Sequence, residues 1–421
     1  MGGKRCQRCG AALSRFATGS SCPTCEAVAA PLSVPAQPAA AAGAWPWISA
    51  TAGAALASRD LGAILRAYRR ANRLSQNQLG ESLGYDTSYI SRLERGQRTI
   101  SDRATLSYIA RHLGVPFHVL GITDEDDADF LAMLQFADST IRLAGIAREA
   151  GHAVTAVNEL WPLIARLEAR ACNGRTERDV DILLAHGRAV FGTALGDVLP
   201  EERLATAARW TGRAVRAAER LDDQAALAHA LRRHGNELRK SGHPAAAVAR
   251  LNEALRISSN STEHGEALAL LARTAGELAD ADLFDRAVSQ AHQQLETAAE
   301  QTILFNPYSL TEIHMRGLLA TGRPAAAASL IPPSQQTSPP AAPQWAIIER
   351  VTAGSVLIAA GELDRAASEL RWAVAEAEDR RLPHQIQRVM RATTKAPSTA
   401  VSAVHTAATT ALGRLRSMLT P

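Results

Sequence analysis

The sequence predicts an all-α protein, because three observations agree. Apolar residues make up 46% of the 421 residues but aromatic residues only 4%, so the core must rest on Ala, Leu and Val, which suit helix-on-helix packing. From about residue 130 onward, apolar residues recur at helical spacing. The short interruptions carry Gly or Pro, which end helices. A chain of this length is expected to hold roughly two to four domains.

Charge is distributed unevenly along the chain, although the net charge is only +4. Residues 1–30 carry four basic residues against one acidic residue, and residues 59–121 carry ten arginines against five acidic residues. Residues 31–58 are uncharged, so the remainder, 122–421, is acidic. A basic front on an acidic body is typical of a nucleic-acid reader joined to a domain with another task.

The first predicted element is a cysteine module at residues 1–27. Two Cys-x2-Cys pairs, separated by twelve residues, have the spacing of a four-thiolate zinc site. Because four thiolates fill the coordination shell of Zn²⁺, the zinc would be structural and the module a small zinc ribbon. Its basic residues would contact phosphates, or the module would only fold the N-terminus or bind a protein. The predicted zinc ligands are Cys6, Cys9, Cys22 and Cys25.

The second element, residues 28–56, is rich in Pro and Ala and predicts a linker with little tendency to fold alone. Trp45 and Trp47 interrupt this stretch. They would either dock on a neighbouring domain or remain exposed on a mobile tether. The structure of the linker's end therefore depends on what surrounds these two rings.

The third element, residues 57–123, predicts a compact run of short helices. Ser75 is placed to cap the second helix through its hydroxyl, and Gly84 supplies the permissive backbone of a sharp turn. Gly80 is the small residue at which the second helix approaches the third. The five helices are expected at 59–72, 76–83, 87–94, 102–113 and 116–121.

The third of these helices, near 87–94, turns Ile90 and Leu93 to the core and leaves an Arg-containing polar face. The segment from residue 61 to 122 resembles the Cro/C1-type (XRE) helix-turn-helix family over its whole length. The resemblance implies a five-helix, lambda-repressor-like domain that binds double-stranded DNA, with the start of the third helix in the major groove. The alternative is a helix-turn-helix retained for binding proteins.

The resemblance also assigns roles to individual side chains. Base contacts are expected from the exposed start of the third helix, where Arg92 suits a guanine, and phosphate contacts from the loop that follows. Arg69 and Glu94 match a pair that bridges the first and third helices, which is a structural role. The expected DNA contacts are Gln76, Thr87, Ser88, Tyr89, Ser91, Arg92, Arg95, Gln97 and Arg98.

The fourth element, residues 124–391, repeats a unit of helix, glycine turn and helix. Two segments, 235–255 and 354–374, agree at six small or apolar positions, and weaker copies centre on Gly151, Asp282 and Gly322. The unit resembles the tetratricopeptide repeat, although its turns recur about every 40 residues, and another helical-repeat subtype or an irregular bundle would also fit. The matched positions pair Gly235 with Gly354, Leu238 with Leu357, Gly242 with Gly361, Ala247 with Ala366, Leu251 with Leu370 and Ala254 with Ala373.

A tetratricopeptide-like solenoid offers a concave groove lined by the first helix of each repeat. Polar residues on one face of such a helix would hold the carboxylate and backbone of a peptide, or they would form a solvated charged face. The residues in question are Arg232, Asn236, Arg239 and Lys240. XRE domains joined to such repeats resemble regulators that respond to signalling peptides, and also regulators whose repeats only dimerise or recruit a partner protein.

These elements together predict a homodimeric, sequence-specific transcriptional regulator. The alternative is a DNA-independent adaptor that binds proteins through the zinc ribbon and the repeats. An enzyme is not expected, because the sequence lacks a Gly-rich phosphate loop, a Ser/His/Asp grouping and a His/Glu metal spacing. Clustered cysteines and the absence of an apolar leader favour a cytoplasmic location without a membrane span. The tail, 392–421, is expected to cap the solenoid or to pair dimers.

Overall fold

A computed structural model describes residue 47 and residues 49–115, 117–122, 128–172, 178–298, 300–331, 342–394 and 398–418. Every regular element in these ranges is a helix, which confirms the predicted all-α class. The described residues belong to one compact unit. None of their helices is long and apolar enough to cross a membrane.

Residues 50–120 form five α-helices and one short 3-10 helix. Their bounds are α1 Ala50–Ser58, α2 Leu61–Ala71, α3 Gln76–Leu83, α4 Thr87–Glu94, α5 Arg103–Leu113 and the 3-10 helix Phe117–Leu120. Helices α2 to α5 and the 3-10 helix match the five predicted elements. Large apolar side chains from α2 to α5 are buried together at the centre: Ile64, Leu65, Leu79, Ile90, Ile109 and Leu113.

Helix α1 corrects the predicted linker, which the sequence places at residues 28–56. The last part of that stretch is helical, because Ser49 caps α1 by accepting a hydrogen bond from the Ala52 amide at 3.1 Å. A run of Ala residues then continues the helix, since Ala has the highest intrinsic helix propensity.

The Trp47 side chain docks on the helices that follow, which is one of the two alternatives left open by the sequence. The side chain is fully buried, and its Nε1 donates a hydrogen bond to the Leu113 carbonyl at 2.9 Å. The indole ring lies 5.8 Å from the ring of Tyr68. Trp47 therefore satisfies an otherwise free carbonyl at the end of α5 while covering apolar surface.

Residues 128–418 form successive helical hairpins. The first helix of each described hairpin packs on its own partner and on the first helix of the next hairpin, as in a solenoid. The assignment to the tetratricopeptide class stays a prediction. The hairpins are α6 Ala128–Glu149 with α7 Ala153–Cys172, α8 Arg178–Val198 with α9 Ala205–Glu219, α10 Gln224–Lys240 with α11 Pro244–Ile257, α12 Ser261–Glu277 with α13 Ala281–Thr297, α14 Pro307–Ala320 with α15 Pro324–Ser329, α16 Pro343–Ala359 with α17 Leu363–Asp379, and α18 Pro383–Thr393 with α19 Thr399–Met418.

The two best-matched repeat segments pack in the same way. A Cβ atom on Gly235 would lie 2.8 Å from Cγ of Leu251, and a Cβ atom on Gly354 would lie 2.5 Å from Cγ of Leu370. Both leucines are fully buried. Glycine in the first helix therefore lets the leucine of the second helix approach its backbone, in both hairpins and at the same offset.

Most turns between paired helices share one backbone conformation. Gly242, Gly322 and Gly361 adopt φ of 83°, 80° and 82°, a left-handed conformation that glycine reaches without a steric cost. The predicted turn at Asp282 is displaced, because the left-handed residue of that hairpin is Ala279 with φ of 56°. Asp282 instead lies in the first turn of α13, where its negative charge interacts favourably with the helix dipole.

The last hairpin returns to the connection between α8 and α9, where a short 3-10 turn spans Glu201–Arg203. Two adjacent glutamates there contact side chains of α18 and α19, and we call these contacts the closing cluster. In it, Glu201 contacts His384 at 3.0 Å and also Arg391, while Glu202 accepts hydrogen bonds from Gln387 at 3.0 Å and from Arg416 at 2.8 Å. Polar groups thus join the last hairpin of the helical domain to its second hairpin.

Helix α19 lies within the segment that the sequence singles out as a capping or dimer-pairing tail. Its apolar side chains pack on α17 and α18 and are buried within the chain. These side chains are Val401, Val404, Ala408, Ala411, Leu412 and Leu415. The apolar face of α19 is therefore used inside the chain.

Candidate nucleic-acid interface

Helices α3 and α4 begin at side-chain caps. The Ser75 hydroxyl accepts a hydrogen bond from the Gln78 amide at 3.1 Å, and the Gln78 side chain accepts one from the Ser75 amide at 2.8 Å. This reciprocal pair is a capping box. At α4 the cap is Asp86, whose carboxylate accepts a hydrogen bond from the Tyr89 amide at 2.7 Å. Both helix starts are therefore fixed by residues next to them in sequence.

The turn between α3 and α4 has the geometry that the sequence predicts. Gly84 adopts φ of 74°, in the left-handed region that favours glycine. At Gly80, a Cβ atom would lie 2.5 Å from the Tyr85 carbonyl oxygen, so a larger residue there would push the two helices apart. The two glycines set the angle at which α4 leaves α3.

One face of α4 is buried and the other faces outward. Ile90 and Leu93 are buried, as predicted. Of the expected DNA contacts, the exposed ones are Thr87, Ser88, Arg92, Arg95, Gln97 and Arg98, and the half-buried ones are Gln76, Tyr89 and Ser91. The outward face and the loop after it thus collect three arginines and small polar groups.

Glu94 holds the end of α4 against α2 and α3. Its carboxylate accepts two hydrogen bonds from Arg69, at 2.8 and 3.0 Å, and one from Gln76 Nε2 at 2.8 Å. Burial alone would raise the pKa of Glu94, but the hydrogen bonds from Arg69 and Gln76 outweigh it and lower the pKa. The Arg69–Glu94 bridge expected from the family resemblance is present, and Gln76 is tied into it.

The exposed start of α4 carries a small hydrogen-bond network. Ser88 donates to the Asp86 carboxylate at 2.6 Å, and the Arg92 guanidinium folds back to the Ser88 carbonyl at 3.3 Å. Hydrogen bonds from Ser88 and from the Tyr89 amide lower the pKa of Asp86. Arg92 is held only by long, exposed contacts through Nε and Nη2, so its other N–H donors are available to an acceptor in a DNA groove.

Tyr89 and Arg98 lie against each other beside α4. The guanidinium carbon of Arg98 is 4.5 Å from the centre of the Tyr89 ring, a cation–π distance. The Tyr89 ring also stacks on Tyr85 at 4.7 Å. Tyr89 therefore orients Arg98, a function that sequence reasoning did not assign to it.

Asn77 is a residue of this surface that sequence reasoning missed. Its side-chain oxygen accepts a hydrogen bond from the Thr87 hydroxyl at 2.7 Å, and its amide donates to Glu81 at 2.7 Å. The contact joins the start of α4 to the start of α3. The only available signal was its position beside Gln76, one residue into a capped helix.

The four ligand residues predicted on α10 lie together along one cavity of the helical domain, with a volume of about 690 Å³. They do not form a solvated face, since the side chains of Arg232 and Arg239 are only 5% and 1% exposed. Each cation already meets carboxylates of the chain. Arg232 pairs with Glu266 at 2.9 Å, Arg239 bonds to Glu277 and at 2.9 Å to Asn236, and Lys240 pairs with Asp197 at 3.2 Å and Glu237 at 3.1 Å.

The predicted zinc ligands, Cys6, Cys9, Cys22 and Cys25, lie outside the described residues, as does Trp45. Within the described ranges, no group of three or more His, Cys, Asp or Glu side chains is arranged to hold a metal ion.

Comparison with known proteins bears on one part of the chain. No curated protein and no solved structure matched it. One family model, described as a helix-turn-helix domain, matches residues 60–120. These residues contain α2 to α5 and the 3-10 helix, including the capped helix pair and the outward face of α4. The match supports an XRE-like helix-turn-helix in this segment and indicates a DNA-binding regulator.

Proposed function

We propose that the protein is a sequence-specific transcriptional regulator that reads double-stranded DNA through α4. The observation that carries the proposal is the division of α4 into two faces. One is fixed to the domain by Ile90, Leu93 and the Glu94 bridges. The other face presents small polar groups and Arg92, which makes only long, exposed contacts within the chain. In this proposal Thr87, Ser88 and Arg92 contact base edges, and Arg95, Gln97 and Arg98 contact phosphates.

We propose further that the helical domain regulates DNA binding by binding a ligand, such as a signalling peptide, or a partner protein. The cavity supports this, because it is lined by the first helices of several hairpins and carries many polar side chains. A homodimer would place two copies of α4 about one helical turn of DNA apart. Sedimentation of the full chain with and without duplex DNA measures whether it is a dimer.

A selection of binding sites from random duplexes tests DNA reading with the full chain. An enriched sequence is expected, and its affinity should fall steeply as salt concentration rises. No enrichment, or affinity that does not change with salt, would contradict the proposal and would favour the DNA-independent adaptor.

Two arginine substitutions separate base reading from phosphate binding. Arg92→Ala should cost about 1–3 kcal/mol at one base pair of the selected site and relax the preference there. Arg98→Ala should weaken binding to all sequences and reduce the salt slope by about 1. Arg365 is an exposed residue of α17, outside the helix-turn-helix segment. Arg365→Ala is therefore the matched control and should leave both properties unchanged. If Arg98→Ala relaxed the base preference and Arg92→Ala did not, the proposed roles of the two arginines would be reversed.

The cysteine module is proposed to hold one structural zinc ion through Cys6, Cys9, Cys22 and Cys25. The support is the spacing of the two pairs, since two thiolates from each turn complete a tetrahedral site. Metal analysis of the purified full chain should find one zinc per chain, reduced or lost in Cys22→Ser. The fifth cysteine gives the control, because Cys172→Ser should keep the metal. A metal-free native chain would exclude the zinc ribbon.

A further inference from the structure

One end of the cavity in the helical domain contains positive charge that its own carboxylates do not balance. Arg239 and Arg316 both contact the same oxygen, Oε1, of Glu277. Arg273 precedes Glu277 by one turn of α12 and therefore shares its face, but it takes part in neither ion pair. The charges of three guanidinium groups thus act on one carboxylate, and only two of the groups are ion-paired with it.

Two cations farther along the cavity, Arg232 and Lys240, have carboxylate partners of their own. Arg232 is paired with Glu266 at 2.9 Å. Lys240 is paired with Asp197 at 3.2 Å and with Glu237 at 3.1 Å. The nearest additional carboxylate at the unbalanced end, Glu312, lies 3.9 Å from Arg388 and accepts a hydrogen bond from Thr352 at 2.6 Å.

Donor atoms at the unbalanced end are buried without partners. The side chain of Arg239 is only 1% exposed, and its Nε has no hydrogen-bond partner among the described residues. Nε of Arg273 is also buried without a hydrogen-bond partner among the described residues. Burial, together with the charges of Arg239 and Arg316, lowers the pKa of Arg273 to about 9, so its guanidinium still carries a proton at pH 7. Buried charges and donors of this kind are costly unless an acceptor meets them.

Apolar side chains adjoin this charge. The guanidinium carbon of Arg273 lies 5.6 Å from the centre of the Trp345 ring. Leu270, Leu304 and Ile348 line the same cavity. An occupant that meets the arginines would therefore place its remaining part against an aromatic and aliphatic wall.

The cavity has the size and the closure of a small-molecule site. Its volume of about 690 Å³ lies within the range of roughly 300–1,000 Å³ typical of such sites. Residues from both ends of the helical domain line it, from Arg148 on α6 to Leu382, His384 and Gln385 at the start of α18.

We propose that this end of the cavity binds a small organic anion that carries an apolar body. The anionic group, a carboxylate, sulfonate or phosphate, accepts hydrogen bonds from Arg273 and Arg239, whose guanidinium groups can donate two hydrogen bonds to a pair of its oxygens. The apolar body packs against Trp345 and Ile348. The inference rests on the proposed function only in giving the helical domain a ligand, and it names the chemical class of that ligand.

Two dyes with the same aromatic skeleton test the proposal on the full chain without DNA. Anilinonaphthalene sulfonate carries an anionic group, and N-phenyl-1-naphthylamine carries none. Titration should show one saturable site per chain for the sulfonate and at least about tenfold weaker binding of the neutral dye, a difference of about 1.4 kcal/mol. Equal affinity for the two dyes, or no saturable site for the sulfonate, would overturn the proposal.

Arg273→Met keeps an unbranched, apolar stem and removes the guanidinium and its charge. It should weaken sulfonate binding at least about tenfold, whereas Arg365→Met, which removes an exposed arginine of α17, should bind as the native chain does. Undiminished binding by Arg273→Met would contradict the site.

Thermal unfolding without any anion gives a second readout for the same variant. Because Arg273→Met removes an unmatched buried charge, its Tm should equal or exceed that of the native chain. A fall of several degrees would instead mean that Arg273 already completes the native packing, and would overturn the proposal. The dye titrations test the anion site, and the duplex selection tests DNA reading. Because the two measurements are separate, failure of one proposal does not affect the test of the other.

Discussion

At the scale of single residues, Glu94 has the largest structural consequence in the helix-turn-helix segment. Its buried carboxylate joins three helices through Arg69 and Gln76. Because these bonds lower its pKa, the stability that they contribute is present above the ordinary glutamate pKa of about 4.3 and is lost as pH falls below it. The orientation of α4 therefore depends on a charge that is ionised at neutral pH.

Arg69→Met should uncouple α4 from α2. The substitution leaves the Glu94 carboxylate, only 3% exposed, without its cation, so the free energy of local opening should fall by about 2 kcal/mol. Hydrogen exchange of peptides from residues 60–120 measures this. The control is Arg66→Met, because Arg66 lies 3.8 Å from exposed Asp60 and should change stability by less than about 0.5 kcal/mol. Equal effects of the two variants would contradict the structural role of the bridge.

At the scale of elements, helix pairs of the helical domain depend on glycines that have no room for a side chain. Gly354 faces Leu370 across α16 and α17, and Gly235 faces Leu251 across α10 and α11. Not every helical glycine is of this kind. A Cβ atom on Gly413, in α19, would meet nothing within 4 Å.

The same substitution should therefore have opposite effects at two glycines. Gly354→Ala places a Cβ atom 2.5 Å from Leu370 and should reduce the free energy of unfolding by about 1–3 kcal/mol through overpacking. Gly413→Ala should increase it by about 0.5–1 kcal/mol, since alanine loses less entropy than glycine in a helix. Urea denaturation of the full chain compares them. If Gly354→Ala left the free energy of unfolding unchanged, the hairpin would be able to widen without an energetic cost.

At the scale of the whole molecule, the closing cluster joins the last hairpin of the helical domain to its second hairpin through ionisable groups. Burial would raise the pKa of Glu201, but contacts with His384 and Arg391 outweigh it and lower the pKa to about 2. Burial lowers the pKa of His384 to about 4, so this ring is neutral at pH 7. Both folded pKa values lie below the unfolded values, which means that acid weakens the closure.

Closure should weaken as pH falls from about 6.5 to 4, where the unfolded histidine gains its proton first. It should weaken further between about 4.5 and 2, where the unfolded Glu201 gains its proton before the folded Glu201 does. Small-angle X-ray scattering should show a larger radius of gyration over this range. Glu201→Gln combined with Glu202→Gln should show the same expansion at pH 7, whereas Glu362→Gln, at an exposed pair on α17, should not. A constant radius in all cases would mean that apolar packing alone closes the domain.

Sequence reasoning located the helix starts and the turn of the helix-turn-helix, because their determinants are local. The caps at Ser75 and Asp86 act within three residues, and the left-handed Gly84 needs no distant partner. Trp47 could not be placed, since its hydrogen-bond acceptor, Leu113, is 66 residues away. The surface role of Asn77 likewise required the position of Thr87 on the next helix.

The sequence by itself determined the all-α class, the helix starts and turns of the helix-turn-helix, and the equivalence of the two best repeats. Capping, glycine conformation and apolar periodicity all act over one or two turns of chain. Only the tertiary structure decided which cations are paired. Arg232, Arg239 and Lys240 look like one cationic strip on α10, yet carboxylates from other helices pair with them, and the excess falls on Arg273. Charge balance in a cavity depends on distances between helices, which periodicity along one helix does not contain.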